Sequence, residues 1–531
     1  MTKMKYAGIA VISLIVTVAA LLVGKKLFSD NKGKALTLLK SNEKIVMSGS
    51  SERINNRVLI EKYFELHGYS PLWTNKSAGK AQNRNRLLSL LVYADSLGLN
   101  SSEYHTGYVL LYDSLVKLEN FEGSETETET ELIFTDAGLS FLYDVAYGKA
   151  VKRFSYEGVK CRIDTVKVLN LFHELVTSIS PASILDSIEQ QNLQYRKLKK
   201  VFQKFNTSLC QPDYKEVRIA EGAKGEAAAL TKLKALGLLT TGSCSAGEFK
   251  SAMLEFQKMI SADTTGVLDA PTREALNVPL AERMEEIKKS LNYWRWTNRV
   301  PDKEFILINI AAARLQVVSK DSLRNLSMKV IVGKEDTRTP SFTAYITQVI
   351  TYPYWTVPLS IAVKEMLPKI KRRLKYLDDN NLQVINSKGQ EVNPSFVAWS
   401  RLSKNYFPYT IRQSTGCDNS LGVMKFDLNS PYSIYLHDTN VPELFNRKNR
   451  HLSHGCVRLE KPKELAHFIL DNGPDTVQIP RIDSCMKDQK PNEFKLKKRI
   501  PVVLLYMTAD IEETGRLKFY KDVYGLEEKR K

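Results

Sequence analysis

The sequence predicts a multidomain α+β protein, helical in its N-terminal part and β-rich with a mainly antiparallel sheet in its C-terminal part. Three observations lead to this prediction. Apolar residues recur at helical spacing through much of the stretch from Asn56 to Lys149. Three further helical segments lie between Glu226 and Leu280. From Phe305 onward, short apolar runs with few intervening helices indicate antiparallel strands, because parallel strands need long crossovers.

Length and charge limit the classes of function. With 531 residues, the chain has room for two to four domains and a sizeable core. Its net charge of +18 favours an acidic partner, such as carboxylate-rich peptides, anionic polymers or a lipid surface, although solubility alone is an equally good reason. The basic residues are spread along the chain without a nucleic-acid motif, so no nucleic-acid partner is predicted.

The N-terminus carries a predicted membrane segment. Lys3 and Lys5 precede an apolar run from Ala7 to Val23, which ends at Gly24-Lys25-Lys26. This run fits either a signal peptide or a membrane anchor, and a small-x-small cleavage site is missing directly after it. We therefore predict an uncleaved single-pass signal anchor in residues 1–27, followed by a linker in residues 28–55.

The helical part divides into two predicted units. Residues 56–220 form the first, and its acidic stretch from Ser124 to Glu129 is expected to be an exposed loop or a frayed helix entry. Residues 226–282 form the second, a three-helix unit in which Pro271 stands near the first position of the last helix. An amphipathic helix from Met284 to Trp296 then leads to the β-rich domain of residues 300–531.

The β-rich domain contains a predicted insertion at residues 359–413. A basic helix from Val363 to Leu377, broken or restarted at Pro368, predicts a helical lid, because long insertions between strands are commonly lids or binding loops. A solvated helix face is the alternative. After the insertion, closing strands are expected at the runs Asp475–Ile479, Pro501–Tyr506 and Leu517–Tyr520.

One stretch combines a cysteine with several histidines. Cys456 can attack a carbonyl only as a thiolate, so it needs a base, and His437, His451 and His454 are the candidates. His437 is the best placed because it closes a strand-like run and is followed by the turn residues Asp438, Thr439 and Asn440. Either Asp438 or a backbone carbonyl of that turn would fix the imidazole tautomer.

Neighbouring residues supply the remaining expected roles. The backbone N–H groups around Gly455 and Cys456 are expected oxyanion donors. Arg458 would share the thiol's face of a strand and hold the thiolate or a substrate carboxylate, while Val457 and Leu459 point into the core.

Two alternatives concern the cysteines. Cys456 with His437 and His454 would be a possible zinc ligand set, but no acidic general base accompanies it, so neither a metal nor a cofactor is predicted. The six cysteines, including Cys456, show no CxxC spacing, and their pairing cannot be read from the sequence.

The spacing of this stretch resembles a known catalytic motif. His437, then fifteen residues, then Ser453-His454-Gly455-Cys456, resembles the motif of the L,D-transpeptidases of bacterial cell walls. The sequence from Tyr435 to Thr439 is similar to that of the large, multidomain branch of the family. The resemblance implies that Cys456 is the nucleophile, His437 its base, His454 with Gly455 the supporting turn, and Arg458, Tyr435 and Trp355 substrate-binding residues. Small family members often carry glycine or serine where this chain has Asp438, which leaves the partner of the imidazole open.

The resemblance also suggests identities for the other units. Residues 56–220 resemble the family's helical scaffold domain, and the insertion at 359–413 occupies the place of its capping subdomain. Residues 226–282 look like a peptidoglycan-binding module, with a spacer that has lost glycan affinity as the alternative.

The implied activity is acyl transfer on peptidoglycan through a cysteine thioester, giving cross-links between third residues of stem peptides. An L,D-carboxypeptidase, a protein-to-wall transferase and a non-catalytic peptidoglycan-binding scaffold are the alternatives. The expected partners are stem peptides, glycan strands, the membrane and other wall synthases. The expected location is the inner membrane, with the catalytic part in the periplasm.

Overall fold

In this computed structural model, the structure describes residues 35, 37, 45–47, 50–74, 77–117, 124–150, 154–177, 180–209, 214–239, 244–302, 304–319, 326–471, 474–512 and 514–527. The predicted signal anchor of residues 1–27 lies outside these ranges. Within them, no helix is both long and apolar enough to cross a membrane. A short antiparallel strand pair, Ile45–Met47 with Ser50–Glu52, lies in the predicted linker.

The first helical unit has its own aromatic core. Trp73, Phe134 and Phe172 are fully buried in it, with ring centroids 5.9–6.0 Å apart between the tryptophan and each phenylalanine. Its helices are Arg57–His67, Ala78–Leu91, Tyr93–Ser96, Thr106–Lys117, Ser124–Tyr147, Thr165–Thr177 and Pro181–Ile188, with a 3-10 turn at Ser101–Tyr104.

The acidic stretch from Ser124 to Glu129 starts the longest of these helices, so the exposed-loop alternative is wrong. One turn further along, the buried Glu131 carboxylate accepts backbone hydrogen bonds from Leu72, Trp73 and Thr74 at 2.7–2.9 Å. These bonds hold the Pro-Leu-Trp turn against the helix.

A second core joins the remaining helices to the β-rich domain. The helices are Leu193–Leu209, Ala223–Ala235, Ala246–Met259, Ala270–Leu276 and Leu280–Trp296. The last of these helices connects the two regions. Its Trp294 donates to Asp510 of the β-rich domain at 3.3 Å. Its neighbour Arg295 is fully buried and donates to the Leu97 carbonyl and, at 3.2 Å, to the Tyr195 hydroxyl. One helix therefore contacts both the first helical unit and the β-rich domain.

The C-terminal domain is a mixed, mainly antiparallel sheet that closes on itself. Nine strands form it: Glu304–Asn309, Arg314–Ser319, Ser327–Gly333, Phe342–Thr351, Met424–Leu428, Leu436–His437, His451–Ser453, Val457–Leu459 and Asn492–Leu505. Three of the nine pairings are parallel, and the remaining six are antiparallel. Pairing of Arg314–Ser319 with Ser327–Gly333 completes the ring. A hairpin of Ala509–Ile511 with Leu517–Phe519 follows.

The insertion at residues 359–413 is a small mixed subdomain. Its predicted basic helical part is present, but the rest contains strands, so the prediction of a wholly helical insertion is wrong, and its role as a lid stays a prediction. Together with Trp355–Thr356, the strands Leu382–Ile385, Glu391–Val392 and Thr410–Gln413 form a separate four-stranded antiparallel sheet. Its helices are Leu359–Ile361, Leu367–Arg372 and Tyr376–Asp379, with a π-turn at Ala362–Met366 and 3-10 turns at Pro394–Phe396 and Trp399–Arg401. The π-turn lets the helix run on into Pro368, which lacks the N–H that a helix interior needs.

One predicted closing strand is wrong. The run Asp475–Ile479 forms a 3-10 turn, Thr476–Gln478, which leads into the helix Ile479–Asp488. The Asp475 carboxylate accepts from the backbone N–H groups of Lys497 and Lys498 at 3.0 Å. It therefore ties the chain to the next strand without joining the sheet. The helix Pro462–Leu470 and 3-10 turns at Thr297–Arg299, Glu335–Thr337 and Pro442–Asn446 complete the domain.

Candidate active site

Three adjacent strands carry the candidate residues on one face. Lys425 is registered opposite His437, and His437 opposite Arg458, so the three side chains form one row across the sheet. Leu436 and Val457, which alternate with them, are fully buried in the barrel core. Since side chains on a strand point alternately to the two faces, the row faces outward.

A second row lies beside the first. The Val457 N–H donates to the Tyr435 carbonyl at 3.2 Å, in the parallel pairing that sets Tyr435 level with Cys456. Tyr435 and Cys456 each lie one residue before the paired strand residues, and Cys456 stands in a bend. Their side chains interact, and the Tyr435 ring lies 5.6 Å from that of His437. The Tyr435 side chain therefore lies beside both the thiol and the imidazole.

The Cys456 thiol is protonated in the resting site. Its Sγ lies 3.6 Å from the Ser433 carbonyl, and among the described residues no hydrogen bond joins it to His437. Burial raises the pKa of the thiol, while polar groups of Tyr435 and the charges of Lys425 and Arg458 act in the opposite direction. The nucleophile therefore needs a base when the substrate arrives.

His437 is suited to be that base. Its side chain is buried, its Nδ1 has no hydrogen-bond partner among the described residues, and its ring lies 5.6 Å from that of Tyr435. Burial first, and then the charge of Arg458, lower the pKa of His437 to about 3. The imidazole is thus neutral at physiological pH and able to accept a proton.

The Asp438 carboxylate is hydrogen-bonded to a neighbouring turn. It accepts from the Val423 N–H at 2.9 Å, and it lies so close to Gly422 that a Cβ there would come within 2.4 Å of it. Gly422 also has a φ of +62°, which favours glycine. Burial raises the pKa of Asp438. The sequence left open whether the Asp438 carboxylate or a backbone carbonyl fixes the imidazole tautomer. A backbone group is the better supported, and the candidates are the backbone groups of Asp438 and Leu421, which face the ring.

The loop before the cysteine is held by a set of hydroxyl groups. Gly455, at φ +116°, donates its N–H to Ser453 Oγ at 3.1 Å, and Ser453 Oγ donates to the Cys456 carbonyl at 2.6 Å. Thr339 Oγ1 donates to the Gly455 carbonyl at 2.8 Å, and Tyr524 accepts from the Thr339 N–H at 3.2 Å. The Gly455 amide is therefore occupied, and in this geometry it is not available as an oxyanion donor.

Sequence reasoning missed the supporting residues Thr339 and Tyr524. Each lies far from Cys456 along the chain, so no local spacing could have linked them to the site.

Two of the predicted site residues connect the site to the inserted subdomain. His454 Nε2 lies 2.6 Å from Glu365 Oε1 on the π-turn of the insertion, and both side chains are partly exposed. Trp355, on the first strand of the subdomain's sheet, lies beside the Tyr435 side chain. His454 therefore faces the insertion, so the zinc set of His437, His454 and Cys456 is not assembled.

The third histidine lies in a different environment. His451 Nδ1 is 3.1 Å from Asn449 Oδ1, and its ring packs 5.7 Å from that of Tyr524. Burial lowers the pKa of His451 to about 4. Within the described ranges, no group of three or more histidine, cysteine, aspartate or glutamate side chains is placed to hold a metal ion.

Comparisons with known proteins match two regions of the chain. A family model of the L,D-transpeptidase catalytic domain matches residues 303–479, and a scaffold-domain model matches residues 58–201. A protein of Haemophilus influenzae, whose name assigns it to the L,D-transpeptidases, is 36% identical over 222 residues. This match covers 42% of the chain and 44% of that relative, so the chain spans less than half of the relative's length.

Two solved structures were also found. An L,D-transpeptidase from Mycobacterium smegmatis is 12% identical, with a TM-score of 0.19, over 38% of this chain and 58% of that one. The Ldtfm-avibactam carbamoyl enzyme is 10% identical, with a TM-score of 0.16, over 58% of this chain and 98% of that one. Scores this low support no argument.

Proposed function

We propose that the chain, whose residues 303–479 match the L,D-transpeptidase catalytic domain, cross-links peptidoglycan stem peptides through their third residues. Cys456 is the nucleophile and His437 the general base. The observation that supports the proposal is the position of the Tyr435 side chain beside both the Cys456 thiol and the neutral His437 ring.

The first half of the reaction forms a thioester. His437 takes the proton of Cys456, and the sulfur attacks the carbonyl that joins the L-centre of the third residue, a diamino acid, to the terminal D-alanine. The carbon–nitrogen bond breaks as the imidazolium returns the proton to the leaving amine. D-alanine departs, and the acyl group remains on sulfur.

The second half transfers the acyl group. The side-chain amine of a neighbouring stem attacks the thioester and regenerates the thiol. Transfer in preference to hydrolysis requires that water be kept from the thioester. The inserted subdomain is the candidate for that role, because it contacts the site through Glu365 at His454 and through Trp355 at Tyr435.

Other parts of the chain have proposed roles that depend on this activity. We propose that residues 226–282 bind glycan strands and that residues 1–27 anchor the protein in the inner membrane, with the catalytic part in the periplasm. Other wall synthases are proposed partners. A spacer role for residues 226–282 would leave the chemistry unchanged.

The same site could use another acceptor. Water would make the protein an L,D-carboxypeptidase, and a protein amine would make it a wall-anchoring transferase. Mass spectrometry of products from disaccharide-tetrapeptides separates these activities, because dimers, tripeptides and protein adducts differ in mass. A non-catalytic scaffold would give none of the three and would form no adduct with a carbapenem.

The test compares Cys456→Ser with the unchanged protein on disaccharide-tetrapeptides. We expect dimers joined through third residues from the unchanged protein and none from the variant, because a serine hydroxyl at this position lacks the acidity of a thiol. Cys417→Ser is the matched control, since Cys417 is an exposed free cysteine outside the site. Cross-links made by Cys456→Ser would refute the proposal.

A further inference from the structure

Lys425 is a partly buried cation next to the site, and the family resemblance assigns it no role. It lies on the strand Met424–Leu428, directly opposite His437, and its side chain is only 21% exposed. Its Nζ lies 2.7 Å from Asp427 Oδ1 and 4.5 Å from the centre of the Tyr435 ring. Both contacts fix the ammonium group over the row that contains the thiol.

Asp427 is itself held from the neighbouring strand. Its Oδ2 accepts from Gln348 Nε2 at 2.6 Å, and Gln348 is its registered partner on the strand Phe342–Thr351. The carboxylate therefore bridges an amide and an ammonium group. This arrangement restricts Lys425 to one side of the imidazole, with Arg458 on the other.

Several charged or titratable groups face the thiol, and each comes from a known element. Tyr435 and His437 lie on the neighbouring strand, and Lys425, backed by Asp427, on the strand beyond it. Arg458 follows Cys456 on its own strand, and its Nε is buried with no hydrogen-bond partner among the described residues. On the side of the insertion, Glu365 is already paired with His454.

From this geometry we infer that Lys425 is a positioning residue for the reaction, which together with Arg458 stabilises the Cys456 thiolate and disfavours a lasting imidazolium at His437. Asp427 and Gln348 hold it in place. The inference rests on the proposed role of Cys456 as nucleophile.

This arrangement favours onward transfer of the proton from His437 to the leaving group. An imidazolium formed between two cations is disfavoured by like-charge repulsion, whereas the Cys456 thiolate is favoured. The charge of Lys425 does lower the pKa values of both groups. The proton taken from sulfur is therefore readily passed on to the leaving nitrogen, which departs as a neutral amine and leaves a neutral imidazole behind.

The test is the pH dependence of Cys456 alkylation by iodoacetamide in the full-length protein, followed by intact-mass analysis. We expect Lys425→Met to raise the midpoint pH of alkylation by about one unit at low ionic strength. Salt should reduce this shift by screening. Lys425→Arg should restore the midpoint. Asp427→Asn keeps an Oδ1 that accepts from Lys425 and removes only the negative charge behind it, so this variant should move the midpoint in the opposite direction.

The readout does not require transpeptidation, so it stands apart from the test of the proposed function. Thermal unfolding identifies any variant that fails to fold. If Lys425→Met fails to fold, the direction of the midpoint shift in Asp427→Asn still tests the inference. An unchanged midpoint in folded Lys425→Met, or a shift of the same sign in Asp427→Asn, would overturn the inference. A normal shift in a protein that forms no cross-links would leave the inference standing and remove the proposed function instead.

Discussion

Two histidines with the same burial differ in how their nitrogens are satisfied. His105 in the first helical unit is 4% exposed, and His437 in the candidate active site is 5% exposed. His105 Nε2 lies 2.8 Å from Asp136 Oδ2, in a network that ties two helices and a chain entry together. His437 Nδ1 has no hydrogen-bond partner among the described residues.

His67 and His451 also have a buried ring nitrogen without a hydrogen-bond partner among the described residues, so it is the satisfied network of His105 that sets it apart. Asp136 also accepts from the backbone N–H groups of Asn55 and Asn56 and from Ser140 Oγ, at 2.7–2.9 Å. A network satisfied in this way stabilises one conformation. A buried polar atom without a partner costs about 1–3 kcal/mol, and such atoms in native proteins call for an explanation. At His437, the proposed role in proton transfer would supply this explanation.

The largest expected effect tests this contrast at the active site. We expect His437→Gln to lower the rate of cross-link formation by about 10²- to 10⁴-fold, the contribution typical of a general base. The thermal unfolding temperature, measured in parallel, separates this effect from a loss of folding. Single-turnover acylation by a tetrapeptide donor, followed by mass, measures the effect.

The pH profile provides the control for this prediction. Because the pKa of His437 is lowered to about 3, the imidazole stays neutral as the pH falls through the ordinary histidine range near 6.5. Acylation by the unchanged protein should therefore not fall with that midpoint. An active His437→Gln variant, or an acid limb near pH 6.5, would contradict the contrast.

The second prediction concerns the first helical unit, where we expect a large effect on stability and little effect on acylation. Asp136→Ala should lower the free energy of unfolding of that unit by roughly 3–5 kcal/mol, because it leaves buried donors unpaired. Acylation per folded molecule should be nearly unchanged. Denaturant unfolding with parallel acylation measures both quantities. A large loss of acylation at full folding would show that the network serves chemistry too.

The smallest expected effect concerns the contact between His454 and Glu365. Both side chains are partly exposed, at 35% and 45%, and such pairs contribute under about 1 kcal/mol. Glu365→Gln should therefore change the ratio of dimers to hydrolysed tripeptides by less than about fivefold, towards hydrolysis. Product masses give this ratio, and Glu335→Gln, distant in sequence and outside the insertion, is the control. A change of a hundredfold would make the pair part of the chemistry.

The sequence pattern predicted the reactive residues better than it predicted the residues that surround them. The spacing of His437 and Cys456 in the sequence was sufficient to propose a nucleophile and its base, and alternation predicted that Arg458 faces outward while Val457 and Leu459 are buried, as they are. It could not identify Lys425, which belongs to a strand that precedes both. A charged residue in a strand-like run has no local signal that separates a site residue from a solvated one.

The same limit explains the errors in the fold. The sequence pattern of the insertion suggested a helix because its basic helical run is continuous, whereas its strands are short and pair over long separations. At Asp475–Ile479, β-type residues form a turn because Asp475 bonds to the backbone of residues 497 and 498. Both outcomes depend on partners far along the chain.

By itself, the sequence determined which residues are chemically able to act and where the chain is helical or extended, because side-chain chemistry and local periodicity are properties of short stretches. Only the tertiary structure decided which of the histidines lies beside the tyrosine that interacts with the thiol, which amide is already occupied and which cations flank the imidazole. These depend on strand register, and register is set by the packing of residues that are distant in sequence.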